Sequence, residues 1–391
     1  MKQNSIIKYS IIVFILMLIV PAVTFARSNN SDIAFNLDKI LRKYELFVLN
    51  TLVEWEVPGM AVAIVKDNNV VFMKCYGVRE VGQLGLINTL TQFRIASASK
   101  GFASVLTGLL VQGGTLNWND PVIKYLPHFS LKSKKNTKEL TIQHILSHTT
   151  GLPKHTYTDL VEANVPYDKI VEKLVEVPVV GAVGKYYSYQ NVMYSLISDI
   201  IKSATGKAYK QLLTERILKP LKMYHTSLSR DDFLATQNRA SPHIRRNHKW
   251  KPTKVKQAYY NVSPSAGVNA SISDMAKWLR ALMGGIPYII SPTVLKQVTT
   301  PVIKTPRQMR RSNWRPHLRN AFYGLGWRLY NYGGTNIVYH GGWVEGYRSE
   351  IAFIPEQKIG IVVLMNFESR VANVFLPAFF NMYLGLKESD K

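Results

Sequence analysis

The sequence of 391 residues contains a single cysteine, Cys75. An internal disulfide is therefore impossible, and burial of apolar side chains has to stabilise the fold. Cys75 lies in the strand-like stretch VVFMKCYG, so a packed thiol is expected there rather than a reactive one. The cysteine and histidine spacing of zinc fingers is also missing, which argues against a small zinc-stabilised module.

Long apolar runs are equally scarce. The one long run, Ile11–Val23, is 13 residues and contains Pro21, whereas a membrane-spanning helix needs about 20 apolar residues. Two lysines precede the run, and small residues follow it up to Ala26, which is the layout of a secretory signal peptide cleaved after Ala26. The alternative is an uncleaved membrane anchor. Under both interpretations the protein is exported, either to the periplasm or into the surroundings of a bacterial cell envelope.

Acidic residues are few. Lysine and arginine number 49 against 25 aspartates and glutamates, which gives a formal net charge of +24. The excess is concentrated in residues 131–138, 244–256 and 304–319. Trp250 and Trp314 interleave with these cations, a pattern found in nucleic-acid-binding proteins. Export and the lack of a glycine-rich phosphate loop favour solvated loops instead. A third possibility is attraction to an anionic envelope surface, such as phospholipid or cell-wall polymer. Nucleic acid is not expected as a partner.

Hydrophobic periodicity predicts both the element types and their order. Apolar residues spaced by three and four predict an amphipathic helix over residues 33–54. Two β-branched runs around residues 67–69 predict a hairpin whose first strand is covered on both faces. Residues 97–260 are mainly helical in pattern, including a helix that starts at a serine cap near residue 97. Three strand-like runs and a closing helix follow: NIVYHGG, GYRSEIAFIP, KIGIVVLMN and RVANVFLPAFFNMYLGL. This order suggests one sheet built from both ends of the chain, with a helical insertion between.

A serine and a lysine stand three residues apart at the start of the first central helix. Ser97 and Lys100 would share one helix face, and the helix N-terminus would place a positive field beside them. That field favours an alkoxide and a neutral amine, and a neutral lysine can accept the serine proton. Taken alone, the pair is more simply explained as a cap and a surface lysine.

Two later motifs change this balance. Tyr189-Gln190-Asn191 lies just before a helix, where a phenol could relay protons and an amide could hold substrate and lysine. His340-Gly341-Gly342 lies on a strand, and its glycines would let a substrate backbone approach closely. Each motif has a plain structural alternative, namely an aromatic-rich helix start and a lone histidine on a bent strand.

Together the three motifs resemble the penicillin-recognising serine hydrolases, which comprise class C β-lactamases, D-alanyl-D-alanine carboxypeptidases and related esterases. That family carries S-x-x-K, then Y-x-N or S-x-N, then K-T-G or H-x-G. Further stretches are similar in the same order: VPGMAVAIVKDNNVV, FRIASASK, LTIQHILSHTTGLP, SPSAGVNASISDMAKWL and HGGWVEGYRSEIAFIPEQ. The resemblance covers roughly residues 35–385.

The resemblance implies roles for the catalytic residues. Ser97 would be the acylated nucleophile, Lys100 its base, and Tyr189 would share in proton transfer. Asn191 would orient the substrate. No cofactor is implied.

The resemblance also implies the substrate-binding residues of the third motif. His340 would stand where the family has lysine or histidine, followed by Gly342. The backbone amides of Ser97 and Trp343 would form the oxyanion hole. The lack of K-T-G favours the carboxypeptidase and esterase branches, and the bulky Trp343 leaves substrate choice open.

Two histidines offer a possible metal site. His144 and His148 have the spacing of zinc-binding histidines on a helix, but the glutamate of H-E-x-x-H is missing. These residues also lie in a family-like stretch, so no metal is predicted.

The resemblance implies the β-lactamase/transpeptidase-like fold: an antiparallel sheet flanked by N- and C-terminal helices, with an inserted helical lobe. Residues 1–26 are predicted to be the signal peptide. Residues 27–391 are predicted to be one catalytic domain, with an α/β lobe from residues 27–96 and 262–391 and a helical lobe from residues 97–261. The predicted function is an exported serine hydrolase acting on D-alanine-terminated peptides, β-lactams or related amides and esters. The alternative is a non-catalytic peptidoglycan-binding protein of the same fold.

Overall fold

The structure is a computed structural model that describes residues 30–310 and 313–387. The predicted signal peptide lies outside the described residues. The chain divides into two units, residues 1–39 and residues 40–391. No helix among the described residues is long and apolar enough to cross a membrane.

Thirteen strands are described. In chain order they are β1 (Gly59–Lys66), β2 (Asn69–Gly77), β3 (Gln92–Arg94), β4 (Thr226–Ser227), β5 (His243–Arg246), β6 (Lys249–Pro252), β7 (Asn269–Ser271), β8 (Ile303–Lys304), β9 (Leu318–Tyr323), β10 (Arg328–Tyr332), β11 (Thr335–Val344), β12 (Tyr347–Ile354) and β13 (Ile359–Met365).

The main sheet has eight antiparallel strands in the order β2-β1-β13-β12-β11-β10-β9-β8. The N-terminal strand β1 pairs with β13 from the far end of the chain, which confirms the predicted sheet built from both ends. A second sheet has the order β3-β7-β4, and β5 and β6 form a hairpin. Strands β8 to β10 were not predicted, because their polar and aromatic residues do not alternate in a simple way.

Fifteen α-helices are described. They are α1 (Asn30–Trp55), α2 (Ser99–Gln112), α3 (Val122–Tyr125), α4 (Lys134–Glu139), α5 (Ile142–Leu146), α6 (Thr158–Glu162), α7 (Tyr167–Glu172), α8 (Asn191–Ser195), α9 (Ile197–Thr205), α10 (Tyr209–Leu213), α11 (Arg230–Ala235), α12 (Ser263–Ala266), α13 (Ile272–Leu282), α14 (Pro292–Val298) and α15 (Phe375–Leu384). Short 3₁₀ turns include Ala96–Ala98 and Ala258–Val262.

The predicted hairpin is formed by β1 and β2. Asp67 and Asn68 take φ values of +47° and +66° between the strands, the left-handed conformation that a two-residue hairpin turn requires and that these residue types tolerate. Strand β1 is buried along nearly its whole length. Helix α13 covers one face of this sheet region, where Leu279 reaches Gly360, and Tyr44 of α1 packs on Phe72 and on Phe379 of α15. An apolar strand with helices on both faces follows from the near-continuous hydrophobic run.

The basic runs are partly regular elements, where the sequence suggested solvated loops, although most of their basic side chains in α4 and β5–β6 are exposed. Residues 131–138 include most of α4, residues 244–256 include the hairpin β5–β6 except His243, and residues 304–319 end in β9. The tryptophans among these cations are core residues: Trp250 is 8% exposed and packs on Phe367, and Trp314 is 2% exposed and packs on Tyr332. Burial of such large rings outweighs the polarity of the surrounding sequence. The predicted division into two lobes remains a prediction.

Candidate active site

Ser97 lies in a strained 3₁₀ turn that leads into α2. Its neighbour Ala96 has a φ of +45°, a left-handed conformation that costs a residue with a β-carbon about 1–2 kcal/mol. The predicted serine cap is wrong, because Ala98 occupies the N-cap of α2 and no side chain bonds to the helix end there. The Ser97 hydroxyl instead faces a cleft of about 860 Å³. Backbone strain next to a side chain that lines a cleft is typical of functional sites.

The Lys100 amine is fully buried beneath this hydroxyl. Its Nζ lies 3.4 Å from Ser97 Oγ, 2.7 Å from Asn191 Oδ1 and 3.1 Å from the carbonyl oxygen of Ser265. Desolvation, with a further contribution from the positive charge of Arg328, holds the pKa of Lys100 well below its usual range. A neutral amine has two N–H donors and one lone pair. The two carbonyl oxygens accept the donors, so the lone pair is directed toward the Ser97 proton.

Tyr189 contacts the same serine from the helical side. Its hydroxyl donates a hydrogen bond of 2.9 Å to Ser97 Oγ, and its ring centroid lies 4.7 Å from Lys100 Nζ. Burial raises the pKa of Tyr189, so the phenol remains protonated. The first two predicted motifs therefore meet at one point, with Ser97 between an amine that can accept a proton and a phenol that can donate one.

The third motif brings strand β11 against the nucleophile turn. A β-carbon on Gly342 would lie 2.1 Å from the carbonyl oxygen of Ile95, so only glycine fits there. Ser349 of the neighbouring strand donates a hydrogen bond of 2.6 Å to the same carbonyl. The indole of Trp343 is 61% exposed at the cleft, and the Arg348 guanidinium lies 5.4 Å from its ring centroid. The oxyanion hole formed by the amides of Ser97 and Trp343 remains a prediction.

His340 is placed differently from its neighbours. Its side chain is fully buried and is not part of the cleft wall. Its Nε2 lies 3.2 Å from the Tyr323 hydroxyl and its Nδ1 lies 3.0 Å from the carbonyl oxygen of Gly341. Tyr323 in turn packs on His148, which packs on Tyr189. The structure thus places His340 in an aromatic layer behind Tyr189, and its contact with substrate remains a prediction.

Two residues of the site were not found from the sequence. Ser265 accepts from Lys100 through its carbonyl, and its hydroxyl donates to the Asn191 carbonyl at 2.8 Å. Arg328 lies on the cleft, 5.7 Å from the Tyr189 ring centroid, with Nη1 3.3 Å from the Tyr187 hydroxyl. A backbone acceptor leaves no compositional signal. Arg328 does leave a sequence signal, because it is a charged residue within the strand-like run GWRLY.

The cleft is rich in positive charge. It is lined by three arginines and three lysines against three glutamates: Arg94, Arg328, Arg348, Lys154, Lys254, Lys256, Glu162, Glu345 and Glu368. All three acids already have partners within the protein. Glu345 pairs with Lys256, Glu162 accepts from the Tyr259 hydroxyl, and Glu368 accepts from the Gly346 amide. The cleft therefore favours ligands that carry negative charge.

The histidines considered as metal ligands have other partners. His144 Nδ1 accepts from the Thr141 backbone amide at 3.2 Å, and His148 Nδ1 accepts from the Gln190 amide at 3.2 Å. Within residues 30–310 and 313–387, no group of three or more His, Cys, Asp or Glu side chains could hold a metal ion.

Comparison with known proteins identifies the family of the chain. Residues 50–376 match the family model described as Beta-lactamase. Unguisins hydrolase ungD′ of Aspergillus campestris is 29% identical over 340 residues, a match that covers 84% of this chain and 62% of that protein. Protein flp of Staphylococcus aureus strain MW2 is 25% identical over 332 residues, covering 84% of this chain and 63% of that protein. The chain thus spans about three fifths of the length of these curated relatives.

A solved structure shows the same fold. The octameric penicillin-binding protein homologue from Pyrococcus abyssi superimposes with a TM-score of 0.78 at 25% sequence identity, over 88% of this chain and 77% of that one. The family match over residues 50–376 and the similarity of the fold lead to one conclusion: this chain belongs to the Beta-lactamase family and has the β-lactamase/transpeptidase-like fold.

Proposed function

We propose that the protein hydrolyses amides or esters through an acyl-enzyme on Ser97. The observation that carries this proposal is the state of Lys100, a fully buried amine with a lowered pKa that lies beside the Ser97 hydroxyl. Burying a lysine costs free energy, and among the described residues no carboxylate forms an ion pair with it. A general base explains why such a lysine is kept neutral.

The chemistry follows from the contacts. Lys100 takes the Ser97 proton while Oγ attacks the substrate carbonyl, which forms the C–O bond of a tetrahedral adduct. Collapse of the adduct breaks the bond to the leaving amine or alcohol. The leaving group receives a proton from the Tyr189 hydroxyl, and the resulting phenolate takes up the proton held by the Lys100 ammonium. Water then adds to the acyl-enzyme, and the same groups return the proton to Ser97 as the acid departs.

The favoured substrate is a peptide that ends in a D-amino acid, ahead of a β-lactam or a small ester. The histidine in the third motif supports this order, because it resembles the carboxypeptidase branch. Arg328 adds further support, since its guanidinium lies on the cleft close to Tyr189 and could bind a terminal carboxylate. Export to the periplasm or cell surroundings, where such peptides occur in cell walls, rests on the N-terminal sequence alone.

A labelled penicillin tests the acyl-enzyme. We would follow the intact mass of the wild-type protein, of Ser97→Ala and of Ser203→Ala, whose serine is exposed. A stable adduct on the wild type and Ser203→Ala, but not on Ser97→Ala, would indicate slow deacylation and a wall-peptide substrate. Consumption of the drug without a lasting adduct would indicate a β-lactamase. If neither occurs, and esters and D-amino-acid peptides are also untouched, the proposal fails.

A non-catalytic peptidoglycan-binding protein is the second candidate. The size of the cleft and its excess of cations favour it, because both would also suit a protein that only holds an anionic wall fragment. Lys100→Ala separates the two functions, with Lys202→Ala on the surface of α9 as the control. A catalyst should lose about 10²-fold or more in turnover with Lys100→Ala, as expected for loss of a general base. A binding protein should show no turnover in any variant and should keep its affinity.

A further inference from the structure

Arg94 is a buried cation at the end of strand β3, on the wall of the same cleft. Its side chain is 2% exposed. Nη1 donates to the carbonyl oxygen of Lys256 at 3.4 Å, and the guanidinium carbon lies 4.3 Å from the centroid of the Tyr260 ring. The remaining donor atoms, Nε and Nη2, are buried without a hydrogen-bond partner.

The charge of Arg94 has no carboxylate partner among the described residues. Arg348, on the same cleft, shows the usual arrangement, because it lies 3.6 Å from Glu350 and donates to Asn373 at 2.5 Å. An unpaired buried cation costs several kcal/mol in folding, about as much as breaking a buried ion pair. The arrangement is explained if the compensating negative charge comes from a ligand.

The two unpartnered donors also have a defined shape. Nε–H and Nη2–H lie on one edge of the guanidinium plane and point in the same direction. This edge matches the two oxygens of a carboxylate, which it binds through two parallel hydrogen bonds. The donor on the other edge, Nη1, is the one that already has a partner.

Arg94 is also close to the nucleophile. It precedes Ser97 by three residues, so their α-carbons are at most about 11 Å apart. Both residues also line the same cleft, so a group bound at Arg94 would lie one or two residues along a peptide from the carbonyl attacked by Ser97. Both donors are screened from bulk water, so binding requires movement of the adjoining wall, which includes Tyr259. A carboxylate would then be held away from water, where charge-assisted hydrogen bonds are strongest.

We propose that Arg94 forms a carboxylate subsite of the cleft, and that the preferred substrates are peptides with an acidic side chain next to the cleaved residue. This inference rests on the proposed hydrolase function for the position of the cleaved bond. The subsite is separate from Arg328, which would bind a terminal carboxylate.

Binding to an inactive protein tests the subsite apart from catalysis. We would measure calorimetric affinities of Ser97→Ala for acetyl-glutamyl-D-alanine and acetyl-glutaminyl-D-alanine, which differ only in the side-chain carboxylate. We expect the glutamyl peptide to bind about tenfold or more tightly, as for a hydrogen-bonded charge pair. Adding Arg94→Met should abolish that preference. Adding Lys251→Met, which removes an exposed cation of β6 outside the cleft lining, should leave the preference in place.

Stability provides a check on folding. Arg94→Met removes an unpaired buried charge at similar volume, so its Tm should equal or exceed that of the parent. If Arg94→Met does not fold, Arg94→Lys replaces it, and it should lose most of the preference because an ammonium lacks the paired edge. An unchanged preference in the folded variant, equal affinity for the two peptides in the parent, or binding of neither would overturn the subsite. Acylation by penicillin tests the hydrolase proposal separately.

Discussion

At the residue scale, the proposed chemistry depends on how far burial lowers the pKa of a lysine. In the sequence, Lys100 resembles a lysine at the start of an ordinary helix. Its spacing from Ser97 alone does not distinguish a general base from a surface lysine. The structure removes its water and supplies two carbonyl acceptors, Asn191 Oδ1 and the Ser265 carbonyl. A neutral amine satisfies both acceptors and keeps a lone pair for Ser97, which a solvated ammonium could not do.

Arg328 provides a residue-scale prediction on pH dependence. In the proposed mechanism Lys100 acts as a neutral base, so kcat/KM should fall as the pH drops through the lowered pKa of Lys100. The charge of Arg328 contributes to that lowering. Arg328→Met should therefore raise the pKa of Lys100 and move the acidic limb of the pH profile to higher pH. It should also raise KM for peptides with a terminal carboxylate by about tenfold or more, because a charge-assisted hydrogen bond is lost.

The matched control is Arg319→Met, which removes an exposed arginine on β9. Its acidic limb should stay at the wild-type position at moderate ionic strength. An Arg328→Met profile that coincides with the wild type would show that Lys100 is not the group that limits activity at low pH.

At the element scale, the site exists because strand β11 and the turn before α2 touch. Gly342 makes this contact possible, since the Ile95 carbonyl occupies the space of its missing β-carbon. The sequence indicated that glycines on this strand would allow close approach. It indicated a substrate backbone as the approaching group, whereas the structure shows that the Ile95 carbonyl already lies against Gly342.

Gly342→Ala tests the contact between these elements. The new methyl group would meet the Ile95 carbonyl at 2.1 Å and Ser349 Oγ at 2.4 Å, so the strand and the turn must separate. We expect a loss of about 1–3 kcal/mol in the free energy of unfolding, the usual cost of overpacking. We also expect kcat/KM to fall by about 10²-fold, because the reacting groups shift by a fraction of an ångström or more.

Gly113→Ala is the control for this substitution. Gly113 ends α2 with a φ of −79°, and a β-carbon there meets only ordinary contacts from 3.4 Å. Chemical denaturation and steady-state kinetics should leave this variant close to the wild type. Wild-type activity in Gly342→Ala would mean that catalysis does not require the close contact between the turn and the strand.

At the scale of the whole molecule, the dominant feature is the net charge of +24. Most of the basic side chains of α4 and of the hairpin β5–β6 are exposed. We expect such a surface to attract anionic phospholipid or cell-wall polymer, and we expect the attraction to weaken as salt shortens the Debye length. The burial of Trp250 and Trp314 removes the aromatic rings that would have stacked on nucleotide bases.

Vesicle sedimentation tests this attraction. We expect the protein to bind anionic vesicles at about 20 mM salt and to be largely released at about 0.5 M, with little binding to zwitterionic vesicles. Replacing Lys134, Lys135 and Lys138 by glutamine should weaken binding, since these lysines are exposed on α4. Salt-independent binding would contradict the electrostatic account. The nucleic-acid interpretation predicts strong affinity for duplex DNA, which the same salt series can test.

Sequence alone was enough to predict the order of the helices and strands and to identify the residues proposed for catalysis. Periodicity is a local property, so it predicted the hairpin β1–β2, the strands β11 to β13 and the helices α1 and α15. The motifs likewise contain Ser97, Lys100 and Tyr189, which the structure brings within hydrogen-bonding distance. These features depend on residues that are close together in the sequence, so they can be predicted without the structure.

Tertiary structure decided the properties that depend on distant segments. It decided that Lys100 loses its water, that His340 lies behind the cleft wall, and that Arg94 and Arg328 face the site from two different strands. Burial and electrostatic fields are set by residues far apart in the chain, and no local pattern encodes them. The residue types can be identified in the sequence, but the protonation state and accessibility of each group follow from the packing around it.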